Sequence, residues 1–225
     1  MSHRLESIVD MVPKAQTVAD IGCDHGKVAI SLVKKGKAKN VICSDISGKS
    51  LDKARKLVVL NQLDHSISLR EGNGLKVLGD GEADVAVIAG MGGELIVVIM
   101  DADKEKVPDT LVLSCNNNAI IVRKWLCQNG YRIVNEDLIF ENRHFYPIML
   151  AEKGKTEQLS DMALEFGPVL LKNKPNILKY YIKRRIDRTK EIRARVLKAG
   201  TAKKDELLQE INKKLKDYEE VEKCL

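Results

Sequence analysis

Aromatic residues are scarce: three Phe, five Tyr and one Trp, 4% of 225 residues. Sandwiches of β-sheets draw heavily on aromatic strands, so an all-β fold is not expected. No apolar run approaches the roughly 20 residues of a membrane helix. Met1 to Glu6 holds no apolar signal core, so neither a membrane partner nor export is expected. No two of the five cysteines (Cys23, Cys43, Cys115, Cys127, Cys224) form a C-x-x-C pair. That argues against a zinc knuckle or a disulfide framework, and no metal is expected. What is present, 44% hydrophobic and 31% charged residues, is enough for a packed core in a soluble, cytoplasmic protein.

The formal charge of +6 is unevenly placed. Residues 1–171 hold 21 Lys+Arg against 23 Asp+Glu, whereas residues 172–225 hold 17 against 9. A basic tail on a near-neutral body fits either a nucleic-acid-facing appendage or a lysine-rich solvated helix face.

Along residues 1–155, short β-rich runs alternate with helical stretches. Strands are expected at Thr17–Ile21, Asn40–Asp45, Ile67–Arg70, Ala83–Ala89 and Thr110–Leu113. Helices are expected at Val28–Lys35, Ser50–Gln62, from Gly93 through Met100, and around Val122, Trp125 and Leu126. Tyr131–Phe140 and Phe145–Ala151 follow with no helix between them, as an antiparallel pair. Alternation with continuous apolar strands predicts an α/β, Rossmann-like doubly wound sheet, mostly parallel with an antiparallel edge. Residues 156–225 change character. Apolar positions recur at helical spacing over Asn176–Lys198, and Leu208, Ile211, Leu215 and Tyr218 form the 3-4-3 stripe of a coiled-coil seam. Two helices joined at Ala199-Gly200-Thr201 are expected to form an antiparallel hairpin.

In such sheets ligands bind at the carboxyl ends of the strands. Four features fall there. Asp20-Ile21-Gly22-Cys23-Asp24-His25-Gly26 follows strand one. It lacks a full G-x-G-x-x-G, and its two acids repel a pyrophosphate while welcoming a cation. Asp45 ends strand two, next to Ile46, at a spacing suited to ribose hydroxyls. Gly72-Asn73-Gly74 follows strand three, where Asn73 offers a donor and an acceptor to an adenine edge. Ala89-Gly90-Met91-Gly92-Gly93 follows strand four, compact enough that something presses on its backbone. Acids and glycines at four strand ends describe a pocket for an adenosine with a positive centre. S-adenosylmethionine fits better than a dinucleotide: ribose on Asp45, adenine near Asn73, and the sulfonium-amino acid end near Asp20 and Gly22.

Arg4-Leu5, Asp20-Ile21-Gly22-x-Asp24-His25, Ile88-Ala89-Gly90-Met91-Gly92-Gly93, Arg123-x-Trp125-Leu126 and Gly167-Pro168 occur in this order. With them the chain resembles, over essentially its full length, the bacterial tRNA (adenine-22-N1)-methyltransferase family. The resemblance implies a class I methyltransferase domain, a C-terminal coiled-coil hairpin, S-adenosylmethionine as cofactor and tRNA as partner. Four places depart from the family pattern. Gly26-Lys27-Val28-Ala29 replaces Ala-Tyr-Leu-Pro, and Ser114-Cys115-Asn116 keeps only the Asn of Gln-Pro-Asn. Asn73-Gly74-Leu75 replaces Asp-Gly-Leu, and Tyr146-Pro147 replaces Tyr-Glu. Most of these positions are expected around the pocket, outside the core.

Methylating adenine N1 needs alignment and stabilisation of the charge appearing on the base. Asp24 is the expected counter-charge, unless it only caps the next helix. Asn116 is expected to accept from the N6 amine, or else to cap a helix, and His25 to bond the base or a phosphate. Tyr146 is the candidate stacking partner of a flipped adenine, or an ordinary core aromatic. Lys27 and Arg184, Arg185 and Arg188 are expected on phosphates, with strongly salt-dependent binding. Two other readings keep the same pocket: methyl transfer to another RNA nucleotide or a small molecule, and RNA binding without turnover.

Overall fold

The computed structural model describes residues 1–156, 158–198 and 204–225. It divides into two compact units, Met1–Gln158 and Leu159–Leu225.

The first unit carries seven strands: β1 (Ala15–Ile21), β2 (Ala38–Asp45), β3 (Ile67–Glu71), β4 (Val85–Met91), β5 (Thr110–Cys115), β6 (Tyr131–Glu141) and β7 (His144–Lys153). They form one sheet in the order β3-β2-β1-β4-β5-β7-β6. The first five are parallel, and β7 runs antiparallel between β5 and β6. β1 pairs with β2 on one side and β4 on the other, with Ile21 opposite Ser44 and Ile88. The chain therefore reverses direction across the sheet at β1, and the crevice outside its carboxyl end is where a doubly wound sheet binds ligands. β6 and β7 are joined through Asn142 and Arg143, both at positive φ, as a tight two-residue hairpin requires.

Helices cover both faces: α1 (His3–Met11), α2 (Lys27–Lys34), α3 (Gly48–Leu60), α4 (Gly93–Ala102) and α5 (Ala119–Gln128). One apolar cluster joins α1, α2 and α3 to one face, with Ile8, Val9, Leu32, Val41 and Val87 at its heart. The other joins α4 and α5 to the opposite face through Ile96, Met100, Leu111, Val122 and Leu126. The sequence reading located every strand and α2 to α5, and it missed α1. That nine-residue helix begins at Ser2, whose Oγ accepts from the Leu5 N–H, and only Ile8 and Val9 within it are fully buried. Cys23, Cys43 and Cys115 are buried free thiols.

One charged pair is sealed inside this unit. Arg123 on α5 donates through Nε to Glu136 on β6 at 2.9 Å, and their side chains are 1% and 0% exposed. Neither ion has water to fall back on, so removing one strands the other.

The second unit comprises α6 (Asp161–Phe166), α7 (Pro168–Asn173), α8 (Asn176–Lys198) and α9 (Lys204–Lys223). α8 and α9 lie antiparallel. Lys190 pairs with Glu219 at 3.1 Å, and Lys204 donates to the Leu197 carbonyl at 2.7 Å. Leu178, Ile182 and Ile186 of α8 are buried, as are Ile211, Leu215 and Tyr218 of α9, with Leu208 half-buried. The expected seam is thus the inward face, while the expected join at 199–201 lies outside the described residues. Among the described residues no helix is long and apolar enough to cross a membrane.

Arg123→Ala is expected to destabilise the protein by about 3–5 kcal/mol in urea unfolding. The apolar pair Arg123→Met with Glu136→Leu should recover most of that loss. Equal losses in the two variants would mean that volume, not charge, holds this contact.

Candidate functional site

A cavity of about 520 Å³ opens at the carboxyl ends of β1, β2, β3 and β4. That is within the ~300–1,000 Å³ of small-ligand sites. All eleven residues expected to hold a cofactor line it. Asp20, Gly22 and Cys23 come from the β1 end, Asp45 and Ile46 from β2, Gly72, Asn73 and Gly74 from β3, and Ala89, Gly90 and Met91 from β4. Asp24, His25 and Lys27 line it too.

Its floor is acidic. Asp20 is 4% exposed, and its Oδ2 is buried without a hydrogen-bond partner. Burial pushes the Asp20 carboxyl up to about 7; the Ala29 backbone N–H opposes this rise and the Asp45 carboxylate adds to it. A buried carboxyl with one oxygen unpartnered, neutral below neutrality and anionic above it, suits a cationic group. Asp45 accepts from the Ser47 N–H at 2.9 Å and the Asp24 N–H at 3.1 Å, one on each oxygen. Each oxygen keeps a lone pair for further donors, such as a pair of vicinal hydroxyls.

Two glycines are favoured by a positive φ, and the first also by a close neighbour. Gly22 has φ +72°, and a Cβ there would sit 2.0 Å from Met91 Cε. Gly90 has φ +80° with open space beside it, so the β4 loop leaves the cavity wall bare at that point. The compactness of Gly92-Gly93 has an internal cause instead. A Cβ on Gly92 would meet Asn117 Oδ1 at 2.9 Å, and one on Gly93 the Asn118 carbonyl at 2.4 Å.

Asp24 sits at φ +49° with its side chain 67% exposed, and His25 Nδ1 lies 2.5 Å from its Oδ2. It does not cap α2, whose N-cap is Gly26 with no side-chain bond. Asn116 is no cap either. It donates through Nδ2 to the Gly90 carbonyl at 2.7 Å and accepts from Arg4 Nη1 at 3.2 Å. Tyr146 on β7 is half-buried, with the Arg4 guanidinium carbon 4.5 Å from its ring centroid. Asn116 and Tyr146 do not line the cavity themselves; Asn116 reaches it through Gly90 and Arg4, and Tyr146 through Arg4, both lining residues. The sequence reading gave Arg4 no role; the Ser2 cap and the apolar spacing of Leu5, Ile8, Val9 and Val12 were the signals of the helix that carries it.

The departures from the family pattern divide. Lys27, Val28 and Asn73 face the cavity, as expected. Ser114, Cys115 and Pro147 correct the expectation. They are buried in β5 and β7, Ser114 and Cys115 at 0% exposure, because both strands lie inside the sheet. In the second unit Arg184 and Arg188 are exposed. Arg185, expected on a phosphate, is instead half-buried and ion-paired with Glu165, so its charge is already used. Among the described residues no cluster of three or more metal-ligating side chains occurs.

A parallel sheet reversing at β1, an inserted antiparallel β7 and an acid-floored cleft without a phosphate cradle define a Rossmann-like methyltransferase fold. Within that class, the chain belongs to the tRNA (adenine(22)-N(1))-methyltransferase family, whose sequence model matches residues 18–220. It is 30% identical to the tRNA (adenine(22)-N(1))-methyltransferase of Bacillus subtilis, over 98% of this chain and 96% of that protein. The crystal structure of the B. subtilis M1A22 tRNA methyltransferase TrmK superposes with a TM-score of 0.90, covering 98% of both chains at 30% identity. A Streptococcus pneumoniae protein, solved in complex with S-adenosyl-L-methionine, superposes with a TM-score of 0.88 at 28% identity, covering 98% of this chain and 99% of that one.

The raised Asp20 pKa fixes a pH dependence. The protonated carboxyl contributes stability that is fully present below about 4 and is lost as pH rises to about 7. Asp20→Asn is therefore expected to raise the melting temperature of the ligand-free protein by about 5 °C at pH 8 and to leave it nearly unchanged at pH 4. The same shift at both pH values would contradict a buried titrating carboxyl.

Proposed function

We propose that this chain transfers a methyl group from S-adenosylmethionine to N1 of adenine 22 in tRNA, in the cytoplasm. The observation that carries the proposal is the cleft itself: two carboxylates and bare glycine backbone at four strand ends, with Asp20 Oδ2 buried and unpaired. That donor set suits a cationic adenosine and disfavours a pyrophosphate. Family membership supplies the substrate.

In this reading Asp45 accepts from the two ribose hydroxyls and Asn73 bonds the cofactor's adenine edge. Ile46, 73% exposed at the rim, covers that ring. Gly72 and Gly74 let the backbone approach it. Asp20, Gly22 and Cys23 hold the charged amino-acid end, and Ala89, Gly90 and Met91 form the opposite wall. When bound, S-adenosylmethionine supplies an electrophilic methyl carbon: adenine N1 gives its lone pair to that carbon as the C–S bond breaks, leaving a neutral thioether and a cationic adenine.

No proton must be removed, so the protein's work is alignment and electrostatics. Asp24, with His25 hydrogen-bonded to it, opposes the positive charge developing on the base. Its exposure keeps the effect modest, since water screens it. Asn116 Oδ1 accepts from the N6 amine and orients the ring, and Tyr146 supports the base from behind Arg4. Lys27 engages a phosphate at the cleft, while Arg184 and Arg188 add affinity without reading sequence. Binding through such contacts weakens steeply with salt.

The test is methyl transfer from labelled S-adenosylmethionine to an unmodified tRNA transcript, followed by nucleoside analysis. 1-Methyladenosine at nucleotide 22 is expected. Its absence, from protein that binds both cofactor and tRNA, would overturn the proposal. Asp24→Asn should lower kcat about tenfold, short of the roughly hundredfold typical of buried groups, with cofactor affinity unchanged; a wild-type kcat would remove Asp24 from the mechanism.

A further inference from the structure

Among the described residues, Arg4 is the one guanidinium lining the cavity. α1 brings it to the cavity, where Nη1 donates to Asn116 Oδ1 at 3.2 Å and the guanidinium lies over the Tyr146 ring. Its Nε is buried and meets no acceptor. The amide of Asn116 is held at both ends. A guanidinium only donates and the Gly90 carbonyl only accepts, so Oδ1 must face Arg4 and Nδ2 must face Gly90. Asn116 is further tied by its backbone N–H to the Met91 carbonyl at 2.8 Å. The result is a fixed pair at the cleft: an acceptor with one lone pair to spare, and beside it a planar fork with N–H groups to spare.

We infer that Arg4 and Asn116 together read the N6/N7 edge of the target adenine, Asn116 Oδ1 accepting from N6 and Arg4 donating to N7. This rests on the methyl-transfer reading above and adds a residue to it. Adenine presents a donor and an acceptor on that edge, whereas guanine presents two acceptors, O6 and N7. Guanine O6 would stand against Asn116 Oδ1, and a pyrimidine has no N7. With the N6/N7 edge held, N1 stays uncovered and faces the methyl donor. The cation on Arg4 suits this recognition role and not charge stabilisation. Tyr146 backs the guanidinium, so the ring face nearest the cleft is occupied by Arg4 and the base meets the guanidinium instead.

The experiment compares two ligated tRNAs, identical except that one carries 7-deazaadenosine at nucleotide 22, which replaces N7 by C–H. kcat/KM for N1 methylation is measured for wild type and Arg4→Met, with cofactor affinity and melting temperature as folding controls. Wild type is expected to lose roughly ten- to hundredfold on the 7-deaza tRNA, the discrimination of one base-edge contact pair. Arg4→Met is expected to lose about as much on natural tRNA and little more on the analogue. Comparison within the variant removes any effect of the analogue on N1 basicity. Equal wild-type rates on both tRNAs, or losses that multiply in Arg4→Met, would overturn the inference and leave the methyl-transfer reading standing. No 1-methyladenosine from wild type on natural tRNA would overturn that reading, and this inference with it. If Arg4→Met fails to fold, the wild-type comparison of the two tRNAs alone decides.

Discussion

The organising constraint of this protein is a buried carboxyl group, Asp20, with one of its two oxygens left without a partner. Asp20 sits at the end of the central strand, where the sheet reverses direction and strand ends splay into a crevice. Leaving that oxygen unpaired costs stability, which is why burial drives the carboxyl up to about 7. Such a cost at a concave, glycine-lined site is of the kind that a cationic ligand would offset, as the proposed function requires. The Asp45 carboxylate next door reinforces the field, and the Asp24 backbone N–H ties the two loops together.

Around this acid floor the local backbone chemistry is consistent. Positive φ at Gly22, Asp24, Gly26 and Gly90 turns the β1 and β4 loops sharply at the cavity. α1 then closes one side and delivers Arg4 to Asn116 and Tyr146, which belong to strands or loops far away in sequence. The proposed chemistry follows from that division. In the proposed chemistry one set of residues would bind a cationic cofactor, and a second set, joined to the cleft through Arg4 and Gly90, would receive a base whose N1 needs no proton chemistry.

Much of this was legible in the sequence, for a physical reason. Strands buried on both faces read as continuous apolar runs, so their carboxyl ends are legible in the sequence, and acids or glycines at each of four such ends line the cavity. The parts that were not legible depend on contacts between distant segments. α1 is short and carries few buried positions, so its period is faint. Asn116 and Asp24 stand beside helix starts and could be taken for caps; only the Arg4, Gly90 and Asp45 contacts separate them from that role. Arg185 sits in a basic run, and nothing in the run reveals that Glu165 claims it. The Gly92-Gly93 pair reads as a ligand contact, although its neighbours are Asn117 and Asn118 of the same chain.

The central claim, that a buried titrating carboxyl selects a cationic ligand, is most directly tested by calorimetry of S-adenosylmethionine binding near pH 6.5. Measurements would be made in buffers of different ionisation enthalpy, for wild type and Asp20→Asn. A cation that draws Asp20 into its anionic form must release a proton, so the wild-type heat should vary with the buffer and the variant's should not. Buffer-independent heats for wild type, or identical buffer dependence in both proteins, would contradict the account.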